Sequence, residues 1–191
     1  MIRIAITPPA ILPEEGSMIE TILSHGWDFV HLRHPSASRR EVRAILESVS
    51  QSCHRKIRLH GHFDLLNEFN LGGVHLNSRC PLAPAGYVGS VSRSCHSVSE
   101  VNESKGCDYV TLSPVFDSVS KYGYKGAGFD FASLKKPEGM KLIALGGLTS
   151  ERLPLLDCSV FDGYAVLGGL FGELPADWLP DLTARLRKFD K

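Results

Sequence analysis

Short apolar runs rich in β-branched residues recur along the chain, each trailed by a polar or amphipathic stretch. Runs at residues 2–7, 28–33, 56–60, 72–76, 87–92, 108–112, 142–145 and 163–167 have the length and composition of strands. Helical patterns fall at residues 13–25, after Ser38, at 64–69, at 97–105 and at 177–189. Ser38 with Glu41 three positions on is a capping-box signature for the second of these helices. Strands of four to six residues alternating with helices predict a parallel sheet, and eight of them predict a closed (β/α)8 TIM barrel. No G-x-G-x-x-G turn follows the first strand, which removes the main support for an open dinucleotide-binding sheet. We read residues 1–191 as a single compact barrel domain, lean for a fold that usually takes about 250 residues.

Two of these strands run directly into paired glycines, at Gly146-Gly147 and at Gly168-Gly169. Glycine lets a phosphate oxygen approach bare backbone N–H groups, and a barrel places its phosphate site after strands seven and eight. Each pair is expected to open a helix. Gly146, Gly147, Leu167 and Gly168 are therefore candidate phosphate-binding positions, with a plain tight turn as the alternative.

Charge narrows the function classes. The 21 basic and 21 acidic residues balance, which argues against a generic nucleic-acid or membrane-surface binder. No apolar run approaches the length of a membrane span, and the chain starts in a strand-like segment. The five cysteines contain no C-x-x-C pair and read as reduced thiols, so we expect a cytoplasmic protein. The assembly is left open, with a homodimer allowed.

The expected C-terminal ends of the strands are unusually polar: Thr7, Arg33, His34, His60, His75, Ser94, His96 and Ser113. Six of the eight histidines, at 31, 34, 60, 62, 75 and 96, fall at or beside such ends. Converging histidines suit proton transfer or anion binding, and His60, His75 and His96 are the candidate catalysts. No H-x-x-x-H pair or mixed His/carboxylate spacing supports a metal, so no metal ligand is assigned. A long segment between the sixth strand and the next expected helix carries Ser118, Ser120 and Lys121, donors suited to an anionic substrate.

Several segments taken together resemble the thiamine phosphate synthases and the related thiazole tautomerases. Val30-His31-Leu32-Arg33, Gly73-Val74-His75-Leu76, Ser92-Arg93-Ser94-Cys95-His96-Ser97 and Asp108-Tyr109-Val110 are similar to that family's motifs, in order. Ser113-Pro114-Val115-Phe116-Asp117-Ser118-Val119-Ser120-Lys121 resembles its "G-P-V-F-x-T-x-T-K", and Ala144-Leu145-Gly146-Gly147 its "A-I-G-G". The resemblance implies that the glycine turns, Ser118 and Ser120 hold the phosphate of a phosphorylated thiazole-type metabolite.

The departures from that pattern concern the synthase's Mg²⁺ and diphosphate. The family's "N-D" after strand three is His60-Gly61 here, its second metal aspartate falls on Cys80, and a diphosphate-binding lysine falls on Pro35. A hard cation wants oxygen ligands, so losing both carboxylates undercuts the leaving group's stabilisation. Asp64 and Asp117 sit at no matching position. The reading carried forward is a metal-independent, tautomerase-like proton transfer, with no cofactor expected and Mg²⁺ only where synthase activity is retained. The tautomerase branch's own histidine falls on Pro114, so His60, His75 or His96 would have to take its role. The alternatives are a synthase with a rebuilt diphosphate site and a non-catalytic binder of a thiamine-pathway ligand.

Overall fold

The computed structural model describes residues 1–117 and 125–190. Eight parallel strands close into a barrel: β1 (Ile2–Ile6), β2 (Phe29–Leu32), β3 (Ile57–Leu59), β4 (Gly73–Leu76), β5 (Ser90–Cys95), β6 (Tyr109–Leu112), β7 (Lys141–Leu145) and β8 (Gly163–Val166), with β8 pairing back onto β1. The helices are α1 (Glu15–Ser24), α2 (Arg39–Glu47), α3 (Gln51–His54), α4 (Leu65–Phe69), α5 (Val98–Glu103), α6 (Gly168–Phe171) and α7 (Leu179–Lys188). The fold is the expected (β/α)8 barrel.

Side-chain alternation along the strands divides the apolar residues into two bodies. Outward positions such as Val30, Leu59, Val74, Val110 and Leu142 join the helices in one large core. Ile4, Ile6, Tyr109, Ile143 and Ala165 form a separate, smaller cluster inside the barrel. That interior is lopsided. Strands β7, β8 and β1 supply aliphatic groups, whereas β2 to β6 supply His31, Arg58, His75, Ser92 and Thr111, all buried. Arg58 fills the floor: its guanidinium lies 4.1 Å above the Phe29 ring, and a Cβ at Gly72 or Gly73 would collide with its side chain or the chain beside it.

Local signals account for most elements. Ser38 caps α2 with both halves of the box formed, its N–H donating to Glu41 Oε2 at 2.7 Å. Three expectations need correction. Strand β5 begins at Ser90, three residues late, because Tyr87 folds back to donate to the Ser90 carbonyl while Val88 projects into solvent. Gly146-Gly147 opens no α-helix; both residues have positive φ and the chain continues to a 3₁₀ turn at Leu153–Leu155. Another 3₁₀ turn at Phe131–Ser133 stands where a helix was expected after the long loop. Replacing helices by single turns after β6 and β7 is how the barrel closes with so short a chain.

The two halves of the interior should respond oppositely to substitution. Ile143→Ala, which empties fully buried volume, should cost about 2–5 kcal/mol in urea unfolding. Thr111→Val should leave stability unchanged or raised, because the Thr111 hydroxyl is buried without a hydrogen-bond partner. A loss above about 1 kcal/mol for Thr111→Val would mean that this hydroxyl is satisfied.

Candidate functional site

At the C-terminal mouth two adjoining cavities, about 490 and 350 Å³, share Arg33, His60 and Arg79. The larger adds Asn77, Arg93, Ser94 and His96; the smaller adds His62 and Cys80. Chain geometry fixes these positions. The Arg33 N–H is held by Thr7 Oγ1 at 2.9 Å, tying the ends of β1 and β2. The Asn77 amide donates to the carbonyls of His60 and His75, at 2.9 and 3.1 Å, and so ties β3 to β4. A wider cavity of about 850 Å³ lies beside Met1, Arg3 and Lys188 and contains none of the predicted site residues.

Below the mouth three imidazoles meet. His31 Nδ1 lies 3.0 Å from His60 Nε2, His60 stacks on His75 with centroids 4.2 Å apart, and His31 and His75 centroids are 4.7 Å apart. His31 Nε2 is 2.7 Å from the Tyr109 hydroxyl. The hydrogen bonds fix one tautomer. Ser92 donates its hydroxyl proton to the Val74 carbonyl at 3.0 Å, so its oxygen must accept from His75 Nδ1–H at 2.9 Å. His75 Nε2 therefore carries the lone pair, and it receives the Ser94 hydroxyl at 2.9 Å.

Burial keeps this cluster uncharged. It pushes His75 down to about 3, with Arg33 adding to the effect. Burial, then His75, then Arg58 hold His31 well below the ordinary histidine value; burial, His75, His31 and the nearby arginines do the same to His60. Burial likewise raises the Tyr109 phenol to about 12, so it keeps its proton.

The other predicted residues separate. His96 is exposed at the rim, with Nδ1 at 3.2 Å from the Ser113 carbonyl. The same Nδ1 lies 3.3 Å from the Ser113 hydroxyl, so Ser113 orients the ring through Nδ1 and leaves Nε2 facing away from it. His34 lines the smaller cavity, and its Nε2 donates to the buried Glu15 carboxylate at 2.7 Å, where α1 meets the barrel. Asp64 pairs with Arg39 on the outer surface, and Asp117 Oδ1 accepts the Gly126 N–H at 2.7 Å. Ser118, Ser120 and Lys121 lie outside the described residues.

The first glycine pair is shaped by packing. Phe116 N–H donates to the Gly146 carbonyl at 3.1 Å, and a Cβ on Gly147 would collide with the Asp117 carbonyl. Arg152, which sequence reasoning missed, donates to the carbonyls of Asp117 and Gly147 at 2.6 and 2.7 Å. The second pair lies alongside: a Cβ on Gly169 would sit 2.9 Å from the Leu148 carbonyl, and Leu167-Gly168 begins the single turn of α6. Arg79 and Arg93 were also missed as lining residues. Arg93 falls between Ser92 and Ser94, both in a segment already marked; Arg79 sits in a Pro-rich loop that carried no signal.

A family model described as thiamine monophosphate synthase matches residues 4–170. The chain belongs to that family. It is 28% identical over 200 residues to a thiamine-phosphate synthase of Marinobacter nauticus, covering 98% of this chain and 88% of the relative. A second such enzyme, of Nitrosospira multiformis, is 28% identical, over 85% of this chain and 77% of its own length. Among solved structures, thiamine phosphate pyrophosphorylase of Bacteroides thetaiotaomicron superposes with a TM-score of 0.82 at 31% identity, covering 100% of this chain and 96% of that one. The corresponding protein of Pyrococcus furiosus, at 21% identity and a TM-score of 0.73, shares the fold over 98% and 94% of the two chains. This is thus a thiamine-biosynthesis family barrel, among whose relatives are transferases.

The Mg²⁺ that a synthase would use does not fit the residues present. The cavity holding His60, Gly61 and Cys80 is lined by no carboxylate among the described residues. Glu100, on the neighbouring cavity wall, is spent on the His96 N–H at 2.8 Å, and Glu103 accepts the Ser99 hydroxyl. Nitrogen donors replace oxygen donors here, the wrong chemistry for Mg²⁺.

The glycine turn gives a direct test. Gly147 sits at φ 64° against the Asp117 carbonyl. Gly147→Ala should lower stability by more than about 1 kcal/mol and speed amide exchange in residues 113–117. Wild-type exchange there would mean the turn does not hold that segment.

Proposed function

We propose that this family member binds a phosphorylated thiazole-type metabolite across the barrel mouth and moves a proton on it without Mg²⁺. The reaction would be a tautomerase-like isomerisation. The observation that carries this reading is His96, its Nδ1 held against the Ser113 carbonyl and hydroxyl and its ring on the wall of the arginine-lined cavity. An imidazole oriented by a carbonyl through one nitrogen offers the other as a general base and returns the proton as an acid. His96 also contacts the residue preceding Pro114, the position where the tautomerase branch keeps its histidine.

His60 and His75 have a different part in this reading. Their low proton affinity makes them weak bases at neutral pH, so they line the floor beneath the ring rather than exchange protons with it. Arg33, Arg79 and Arg93 make no side-chain ion pair among the described residues, which leaves them to bind a carboxylate or similar anion on the substrate. The phosphate ester belongs at Gly146, Gly147 and Leu167-Gly168, and the sequence adds Ser118, Ser120 and Lys121 as candidate donors.

The same three guanidinium groups also favour a second reading, a synthase in which arginines replace Mg²⁺ in neutralising a diphosphate. Two assays separate the readings. Aromatisation of a thiazole carboxylate phosphate tautomer, followed by ultraviolet absorbance, should be accelerated by the protein and slowed about 10²–10⁴-fold by His96→Asn. Pyrophosphate release from pyrimidine methyl diphosphate and thiazole phosphate should stay at background, with or without Mg²⁺. Robust pyrophosphate release would overturn the proposal in favour of the synthase. Background rates in both assays, with the phosphate ester still bound, would leave a binder.

A further inference from the structure

The histidines that proton transfer does not use form the most unusual feature of the interior. One ring nitrogen from each of His31, His60 and His75 lies within 4.8 Å of the other two. We propose that these three imidazoles form a binding site for a divalent transition-metal ion of borderline hardness, of the Zn²⁺ or Co²⁺ type. The site stands apart from the proton-transfer reading, since His96 is not among its ligands and it needs no substrate to form.

The ligand atoms follow from hydrogen bonding. His75 is already in the required form, with Nδ1–H given to Ser92 and the Nε2 lone pair free for a cation in place of the Ser94 proton. His60 Nε2 and His31 Nδ1 face each other at 3.0 Å, and the His60 ring, stacked on His75 with planes 25° apart, turns out of that stack on binding so that both lone pairs meet one ion. With His31 protonated on Nε2, the Tyr109 oxygen at 2.7 Å accepts that proton and turns the Nδ1 lone pair toward His60. Each buried ligand then has an outer hydrogen-bond partner that sets its tautomer, Ser92 for His75 and Tyr109 for His31. This is the usual support of a metal-bound histidine. Burial favours the neutral rings that a metal requires.

A second observation points to an absent ligand. The Thr111 hydroxyl is fully buried and has no partner among the described residues. Thr111 pairs in register with Ser94, whose hydroxyl bonds His75 Nε2, and by strand alternation with Tyr109 faces the barrel interior. An ion held by the three rings would bring a water or an anion into this interior, where such a hydroxyl has something to bond.

Donor type selects the metal. Three neutral nitrogens with no carboxylate suit Zn²⁺, Co²⁺ and their neighbours, not Mg²⁺ or Ca²⁺. Three protein ligands leave a coordination position on the side of the cavity that His60 lines. With Arg33, Arg79 and Arg58 also near the cluster, the electrostatics favour an anion there, a carboxylate or phosphate group in chemical class.

The test uses untagged full-length protein, stripped with a chelator and titrated with Co²⁺. One equivalent should bind with the visible absorption of tetrahedral cobalt, and Zn²⁺ should displace it. Ser92→Ala, which removes only an outer partner, should weaken the metal about 10–100-fold. His60→Gln, at a partly exposed position, should abolish the visible band while the far-ultraviolet circular dichroism stays native. The proposal is overturned if folded wild-type protein develops no tetrahedral band. It is equally overturned if His60→Gln binds Co²⁺ as wild type does.

Discussion

The rest of the site depends on one hydrogen bond, from His75 Nδ1–H to Ser92, whose own proton is committed to the Val74 carbonyl. A buried polar group must be partnered, and this chain of donors partners His75 while fixing which nitrogen faces the mouth. From it follow the stacking of His60 on His75 and the approach of His31, and with them a polar half of a barrel whose other half is aliphatic. A parallel barrel can carry such asymmetry because the outer core between strands and helices supplies most of the buried apolar contact.

The mouth divides along the same line. Beside the aliphatic strands, the two glycine turns lie against each other, the first also against the segment 113–117 and braced by Arg152. Beside the polar strands, Gly61 and Cys80 stand at the positions where the resemblance puts a synthase's carboxylates, and guanidinium groups and imidazoles line the cavities there. A family member can thus keep the fold and the glycine turns while differing in the side chains opposite them, because the barrel fixes where strand ends lie and not what they carry.

Much of this was legible in the chain. Strand periodicity predicted the barrel, and Ser38 with Glu41 marked a cap that is present. His31, His60 and His75 stood at recognisable strand ends. Their convergence, however, depends on strand register, which periodicity alone does not set. His34 reads as a mouth residue and does line the smaller cavity, but the sequence does not show that α1 brings Glu15 against its Nε2. Tyr87 read as a strand residue because β propensity cannot tell an aromatic that joins a strand from one that folds over its start. The glycines at 146 and 147 signalled close approach correctly, but the sequence could not say that the approaching group includes the protein's own Phe116–Asp117 backbone.

The account rests on an imidazole cluster kept neutral by burial, with His75 protonated on Nδ1. Assigned ¹⁵N histidine spectra of the metal-free protein, recorded from neutral pH down to about pH 5, read both properties at once. His31, His60 and His75 should stay neutral throughout, with the His75 proton on Nδ1 alone. An imidazolium signal from any of the three near neutral pH, or a His75 proton on Nε2, would contradict the account.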